Sequence, residues 1–302
     1  MDLKFNFEEI QTVEFGIGKE NKIREYFSVP TNKMVKDALK EMAKLTWNAM
    51  KNTGTPGRLY EPSEKHERTE YLHIPLSNSL VHEFKILYQA DYLQNSSSAL
   101  NDIQNIFCYF SKMTDKSGQK ITAMRRAGTF KGIVKNSNRL MQLIDNSLTI
   151  IKSPVFKLDN DFDVIVDKEN IHILRPSGFE FMGKMQDAIL AAVPDNMPKI
   201  QSNIPFVEFS NIGAYAEKHP RAARYLASIC ENRKNSCIDK QLFQDHCNRI
   251  GIKTTLNHED KIVIESGQEM SFLEALDRRR YQLNLVKDMP ENYIANSRKM
   301  VQ

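Results

Sequence analysis

The residues best able to do chemistry in this chain are basic, and they are concentrated in residues 111–139. Eight cations there accompany one acid, Asp115. The cations are Lys112, Lys116, Lys120, Arg125, Arg126, Lys131, Lys135 and Arg139. Because the whole chain carries a formal net charge of only +4, the remainder must be close to neutral or acidic. Such a local excess attracts a polyanion, most commonly nucleic acid, although a solvated basic surface gives the same pattern.

Two further basic groups lie nearer the C-terminus. Arg221 and Arg224 are three residues apart, so they share one flank of a predicted helix. Residues 278–280 are all arginine. Glu274 and Asp277 lie close to that run in the sequence, so we expect some of these arginines to form structural ion pairs.

The neighbours of the cations indicate what kind of polyanion contact to expect. Hydroxyl and amide side chains lie among them, and these groups join Lys and Arg in holding phosphate oxygens. Phe130 is the one aromatic residue of residues 111–139, which argues against dedicated single-strand recognition by base stacking. We therefore predict phosphate-dominated binding with little sequence preference, and we predict no cofactor, metal or catalytic residue.

A metal-dependent nuclease is the alternative chemistry. It needs carboxylates that converge on magnesium, often beside a lysine. Asp163 and Asp167 share one face of a predicted strand, and Glu180 and Lys184 follow. A restriction-type core would place its acid and lysine two residues apart on one strand, whereas Glu180 and Lys184 are four apart. We expect Asp163 and Asp167 to be the solvated face of a hairpin.

The cysteines do not have the spacing of a zinc site. Cys230 and Cys237 are too far apart for a ligand pair on one tight turn, and Cys247 follows His246 directly. We predict buried, unreactive thiols, Cys108 among them. Gly16 and Gly18 precede a lysine but lack the spacing of a phosphate-binding loop.

The hydrophobic pattern predicts an α+β fold with a β-rich N-terminal half of antiparallel strands and a more helical C-terminal half with a few short strands. We expect two regions, residues 1–176 and residues 177–302. Residues 106–110 and 119–125 should pair as a hairpin around the turn residues Asp115, Ser117 and Gly118. Residues 162–167 and 171–174 should form a second hairpin.

Helix signals mark both halves. Thr31 can cap a first helix that begins after Pro30. In the second half, Met185, Ile189 and Ala192 share one face of a predicted helix, and Pro194 and Pro198 should end it. Asp239 should begin another helix, with Gly251 as its C-terminal stop.

Membrane insertion and export are not predicted. No apolar run approaches the roughly 18 residues that cross a bilayer, and the first residues lack the pattern of a signal peptide. We therefore expect a cytoplasmic protein, and any membrane association would come through a partner.

Several short motifs resemble the KwaB-like family of the Kiwa anti-phage defence system. They are residues 121–126 (Ile-Thr-Ala-Met-Arg-Arg), 162–166 (Phe-Asp-Val-Ile-Val), 171–174 (Ile-His-Ile-Leu), 179–180 (Phe-Glu), 272–277 and 293–298. The resemblance covers roughly residues 112–299. It implies a cytosolic, oligomeric, DNA-binding protein that acts beside a membrane partner, KwaA, against phage DNA. The family supplies no catalytic motif that can be carried onto residues here.

Together these observations predict a non-enzymatic homo-oligomer that binds DNA and blocks phage replication or transcription. Two alternatives stay open: the metal-dependent nuclease, and an interaction module whose basic face meets anionic lipid or an acidic partner.

Overall fold

The computed structural model describes residues 3–53, 57–63, 70–90, 93–95, 105–127, 141–144, 147–150, 158–232, 237–287 and 289–295. The chain forms two compact units. Unit 1 is Met1–Leu59 with Glu67–Lys184, and unit 2 is Tyr60–His66 with Met185–Gln302. A domain boundary after residue 176 stays a prediction, and the helix that begins there lies in unit 1.

Unit 1 contains most of the strands. Its elements are β1 (Ile10–Glu20), β2 (Arg24–Val29), α1 (Lys33–Lys51), β3 (Arg58–Leu59), β4 (Leu72–Pro75), a 3-10 turn (Ser79–Val81), α2 (His82–Gln89), β5 (Gln94–Asn95), β6 (Ile106–Asp115), β7 (Lys120–Arg126), β8 (Met141–Ile144), β9 (Ser147–Ile150), β10 (Val164–Val166), β11 (Asn170–Ile173) and α3 (Pro176–Met182). Strands β8 and β9 pair only with each other among the described residues.

Nine described strands form one sheet in the order β3-β4-β11-β10-β7-β6-β1-β2-β5. The pairings at the two edges, β3 with β4 and β2 with β5, are parallel, and the inner pairings are antiparallel. Both predicted hairpins are confirmed, as β6–β7 and β10–β11. The strand order also places β7 beside β10, which no local pattern predicts.

One face of the sheet is covered by α1. The apolar stripe of α1 buries Leu39, Met42 and Met50 against strand residues such as Phe15 and Ile121. Alternation along a strand sends every second side chain to this face, so an unbroken apolar core forms beneath the helix.

The N-cap residue of α1 differs by one position from the prediction. The cap is Asn32 rather than Thr31: the Asn32 Oδ1 atom accepts a hydrogen bond from the Val35 N–H at 3.0 Å. Asparagine is a stronger cap than threonine, and its position three residues before Val35 suits the bond.

The opposite face is covered by α2 and α3. Phe84 of α2 stacks on Phe179 of α3 with ring centroids 5.2 Å apart, and both rings are buried. Gly16 lies on this face of β1, where a Cβ would approach the Phe110 ring to 2.2 Å. Gly16 therefore serves close packing within a strand, and the segment forms no phosphate-binding loop.

Unit 2 is mostly helical. Its elements are α4 (Met185–Ala191), α5 (Val193–Asn203), α6 (Ser210–Ala216), α7 (Pro220–Glu231), α8 (Lys240–Arg249), β12 (Thr254–Leu256), β13 (Ile262–Ile264), α9 (Glu269–Leu276), β14 (Arg280–Val286) and β15 (Met289–Ile294). Helix α7 packs against α4, α5, α6 and α9. Its alanines, Ala222 and Ala223 among them, are buried and allow close approach on several sides.

The prolines of unit 2 correct one prediction. The helix that carries Met185 and Ile189 is α4, and it ends at Ala191, so its end just before Pro194 agrees with the prediction. Pro194 lies in the first turn of the next helix, α5, and Pro198 lies inside α5, so the prediction is wrong for Pro198. A proline in the first turn loses no helical hydrogen bond, since the N–H it lacks has no partner there. The predicted α8 is confirmed: Asp239 accepts from the Leu242 N–H at 2.9 Å, and Gly251 has a φ of 78°.

The α+β class is confirmed, with strands dominant in the first half of the chain and helices in the second. Within the described ranges, no helix has the length and apolar character that a bilayer crossing requires.

Candidate nucleic-acid interface

The one acid of residues 111–139 builds the turn between β6 and β7. Asp115 accepts hydrogen bonds from the backbone N–H groups of Ser117, Gln119 and Asn6, each at 2.9 Å. Burial alone would raise the pKa of Asp115, but these donors outweigh burial and lower it. Gly118 takes a φ of 79°, which glycine adopts without strain. Both carboxylate oxygens of Asp115 therefore hold the turn together.

The β6–β7 hairpin divides the described cations between its two ends. Lys116 and Lys120 lie at the turn, whereas Arg125 and Arg126 lie at the far end of β7. Six residue steps separate Lys120 from Arg126, which is roughly 20 Å in an extended strand. The described part of the basic segment is therefore not one continuous cationic tract.

Arg125 lies within a cluster of carboxylates. Its Nε donates to Asp159 at 3.1 Å, and its Nη1 donates to Asp161 and Asp163, each at 3.0 Å. Arg175 completes the cluster with a 2.6 Å contact to Asp161. Burial alone would lower the pKa of Arg125, but the three carboxylates outweigh it and raise it. Separating a buried ion pair costs about 3–5 kcal/mol, so Arg125 is unsuited to exchanging partners with a phosphate.

Arg126 and Lys112 are also engaged within unit 1. The Arg126 guanidinium carbon lies 3.9 Å from the centroid of the exposed Phe181 ring. Lys112 Nζ donates to the Leu87 carbonyl at 2.9 Å and to the Ala90 carbonyl, at the C-terminal end of α2. A cation there satisfies carbonyls that lack helical partners and complements the helix dipole. Lys112 thus has a structural task that its sequence position did not reveal.

The basic residues near the C-terminus form structural contacts in unit 2. Arg221 Nη2 lies 3.1 Å from Glu274, although the Arg221 side chain is 64% exposed. Arg224 Nη1 donates to the Pro62 carbonyl at 3.0 Å. The remaining predicted site residues lie outside the described residues: Lys131, Lys135 and Arg139.

The arginine run at residues 278–280 confirms the expectation of ion pairs. Arg279 is fully buried, and its Nε donates to Asp277 at 2.7 Å while its Nη2 donates to Ser63 at 2.8 Å. Arg280 lies 3.1 Å from Glu274. Asp277 and Glu274 therefore hold Arg279 and Arg280 in ion pairs within unit 2.

Four lysines gather where the turns of two hairpins meet, and we call this surface the lysine end. Its members are Lys4, Lys116, Lys120 and Lys168. Strand β7 pairs antiparallel with β10, with Thr122 opposite Val166. The β6–β7 turn and the β10–β11 turn therefore lie at the same end of the sheet. Three of these lysines surround one cavity of about 150 Å³: Lys4, Lys120 and Lys168.

Ion pairs at the lysine end are exposed. Lys116 lies 3.0 Å from Glu9, and Lys168 lies 3.6 Å from Glu169. The two lysine side chains are 60% and 54% exposed. Exposed pairs of this kind contribute about 0.2–1 kcal/mol, far less than buried ones. A phosphate can therefore displace these carboxylates at small cost.

Sequence reasoning missed Lys4 and Lys168, which lie far from residues 111–139 in the chain. The predicted β10–β11 hairpin already placed Lys168 in a turn. The missing signal was the pairing of β7 with β10, which brings that turn beside Lys120.

A buried hydrogen-bond chain lies beside the lysine end. His172 is 1% exposed, and its Nε2 lies 3.0 Å from Asp167 Oδ2 while its Nδ1 lies 2.6 Å from the Tyr71 hydroxyl. The Trp47 ring packs edge-on against the imidazole. Burial alone would raise the pKa of Asp167, but the hydrogen bond from His172 and two backbone N–H donors lower it. Because the Tyr71 hydroxyl is also buried, we interpret these hydrogen bonds as structural.

Carboxylates do not converge on a metal site in the described part of the chain. Asp163 faces Arg125 at one end of β10, and Asp167 faces His172 at the other. Lys184 Nζ lies 2.6 Å from Glu20. No group of three His, Cys, Asp or Glu side chains among the described residues could hold a metal ion. The expectation that Asp163 is solvated is wrong, because it is buried against Arg125.

The cysteines follow the prediction in part. Cys108 and Cys247 are buried thiols, and burial raises the pKa of Cys247 to about 12. Cys230 is half-buried and Cys237 is exposed, so the prediction of burial is wrong for Cys237.

Comparison with known proteins identifies a family. The family model described as Kiwa protein KwaB-like matches residues 103–285, more than half of the chain. Searches of curated proteins and of solved structures returned no match. The matched range contains both hairpins of the lysine end, and with them Lys116, Lys120 and Lys168.

Proposed function

The chain belongs to the KwaB-like family and is thereby linked to the Kiwa anti-phage defence system; on that premise we propose that it binds phage DNA through phosphate contacts at the lysine end. It acts in the cytoplasm as a homo-oligomer and is held beside the membrane by KwaA. It blocks replication or transcription by occupying the DNA rather than by cutting it.

One observation carries this proposal: exposed lysines from three parts of the chain meet at one end of the sheet. The N-terminal segment contributes Lys4, the first hairpin contributes Lys116 and Lys120, and the second hairpin contributes Lys168. Amide side chains of Gln119 and Asn170 lie among them. Lysine ammonium groups with amide neighbours suit phosphate oxygens, and they carry no pattern that reads bases.

Binding of this kind is driven by the release of counterions from DNA. Each phosphate neutralised by a lysine lowers the slope of log K against log salt by about 0.9. A few such contacts per chain give weak binding, and an oligomer multiplies them by raising the effective concentration of the second contact. Occlusion of a long stretch of DNA then follows from assembly.

The proposal is tested with a charge-matched pair of variants. In the first, Lys116, Lys120 and Lys168 are changed to Gln. In the control, the exposed lysines Lys22, Lys199 and Lys253 are changed to Gln, so both variants lose three charges. We expect the first variant to flatten the salt slope of duplex DNA binding by about 0.9 for each phosphate that is no longer neutralised, while the control retains the slope.

Two results would overturn this assignment. Equal effects in both triple variants would mean that net charge alone governs binding. Flotation of the wild-type protein with anionic liposomes, without any DNA gel shift at the same salt, would assign the lysine end to a lipid surface.

A further inference from the structure

A second concave site lies on the sheet face that α2 covers, beside the lysine end. Six side chains form two rows across β1, β6 and β7. The first row is Thr12, Thr114 and Lys120, and the second is Glu14, Lys112 and Thr122. Neighbouring strands are about 4.8 Å apart and the rows about 7 Å apart, so the six side chains cover roughly 10 by 7 Å. They line one cavity of about 220 Å³.

The last turn of α2 forms a wall of this cavity. Tyr88 and Ala90 line it together with the strand residues. Lys112 links floor and wall, because its Nζ donates to carbonyls at the end of α2. The helix end is thereby fixed over the strands, and its carbonyl charge is offset by the lysine.

Thr122 provides the observation that points to a ligand. Its side chain is 1% exposed, and its Oγ1 has no hydrogen-bond partner among the described residues. Strand alternation directs Thr122 to the same face as Lys120, whereas Ile121 and Ala123 point into the core under α1. A buried hydroxyl without a partner is destabilising. A polar group that reaches Thr122 through the cavity would supply the missing hydrogen bond.

Charge within the cavity is uneven. The β7 side carries Lys120 and Thr122, with Lys112 on the next strand. Glu14, the one carboxylate among the described lining residues, lies two strands away on β1, at a distance of roughly 10 Å. An anion therefore fits at the β7 corner, and a group that donates hydrogen bonds fits near Glu14.

From this arrangement we propose that the cavity binds a small phosphate monoester that carries hydroxyl groups, such as a sugar phosphate. The phosphate lies between Lys120 and the Thr122 hydroxyl, and Glu14 accepts from the sugar hydroxyls. A free sugar phosphate and the 5′-phosphate end of a nucleic acid share this chemistry. The cavity is smaller than the roughly 300–1,000 Å³ of drug-sized sites, and α2 walls one side, which favours a terminal phosphate over a backbone phosphate.

Ribose 5-phosphate is the probe, with ribose and inorganic phosphate as comparison ligands in calorimetric titrations. We expect the wild type to bind ribose 5-phosphate more tightly than either comparison ligand. Thr122→Val removes the hydroxyl while retaining the shape of the side chain, and it should weaken this binding about tenfold. Thr122→Ser, which keeps the hydroxyl, should retain most of the binding.

Lys120→Gln should also weaken binding, and Lys36→Gln, an exposed lysine on α1, is the matched control. Thr122→Val should melt no lower than the wild type, since it removes a hydroxyl that has no partner among the described residues. The inference is wrong if the wild type does not bind ribose 5-phosphate at millimolar concentration. It is equally wrong if Thr122→Val and Lys120→Gln bind as the wild type does.

The source of the phosphate is decided by oligonucleotides with and without a 5′-phosphate. Tighter binding of the phosphorylated one, lost in Thr122→Val, assigns the cavity to nucleic-acid ends; no difference assigns it to free sugar phosphates. Failure here is distinguishable from failure of the DNA-binding proposal. Thr122→Val leaves the salt slope of internal duplex binding unchanged, and Lys116→Gln alters that slope without affecting ribose 5-phosphate.

Discussion

Arg125 and Lys116 carry the same charge and lie nine residues apart, yet their surroundings give them different uses. Arg125 contacts three carboxylates, and its side chain is 18% exposed. Lys116 pairs with Glu9 and is 60% exposed. The free energy of exchanging a partner rises steeply with burial. Of these two cations, the exposed one can therefore leave its carboxylate for a phosphate.

Changing Arg125 to Ala should lower the free energy of unfolding by about 3 kcal/mol, because three carboxylates then lose their common cation. Lys116→Ala is the matched control and should change it by less than about 0.5 kcal/mol. Urea unfolding measures the free energy of unfolding of both variants, and an unchanged m-value shows that the two-state comparison holds. Equal stabilities for the two variants would show that the Arg125 cluster is not structural.

Among the secondary-structure elements, the pairing of β4 with β11 sets two histidines side by side. His73 lies directly opposite His172, and the His73 Nδ1 atom is buried without a hydrogen-bond partner among the described residues. Burial, and then the nearby His172, lower the pKa of His73 below 6.5. Both causes disfavour the protonated form of His73.

Acidification should therefore destabilise the protein. Below pH 6.5 the unfolded chain takes up a proton at His73 that the folded protein does not yet bind, so the free energy of unfolding falls as pH falls. The lowered pKa of Asp167 adds a second loss below pH 3.8. Denaturant titrations between neutral pH and about pH 5 should show a shallower decline for His73→Gln. The exposed His258→Gln is the control, and a decline of wild-type size in His73→Gln would refute this origin.

Across the described part of the molecule, acids hold several arginines in ion pairs, both at the far end of β7 and in unit 2. Asp159, Asp161 and Asp163 hold Arg125, while Glu274 holds Arg221 and Arg280. At the lysine end, by contrast, the lysines of the described ion pairs are exposed and so are held weakly by Glu9 and Glu169. The proposed binding of a polyanion at the lysine end depends on this difference in exposure.

Plasmid incubated with the purified protein and magnesium or manganese should stay intact. Asp163 is held by Arg125 and Asp167 by His172, so neither presents a carboxylate to a shared ion. Agarose gels over several hours measure the outcome. Cleavage that disappears in Asp167→Asn, at an unchanged melting temperature, would establish the nuclease instead.

Features that depend on near neighbours along the chain were predictable from the amino-acid sequence. The β6–β7 and β10–β11 hairpins, the Asp115 turn and the α8 cap belong to this class, because alternation, turn residues and caps act over a few positions. The excess of cations was equally visible in the sequence. Helix α5 was not, because a proline inside a helix can be tolerated when tertiary packing compensates.

Which of those cations can meet a ligand depends instead on the folded arrangement. Arg125 and Asp159 are 34 residues apart in the chain, and Lys112 is 25 residues from the Leu87 carbonyl that it caps. The pairing of β7 with β10 brings Lys168 beside Lys120. Contacts at such separations follow from strand order and sheet packing. A local pattern carries no record of them, although they fix the burial, and hence the free energy, of each charge.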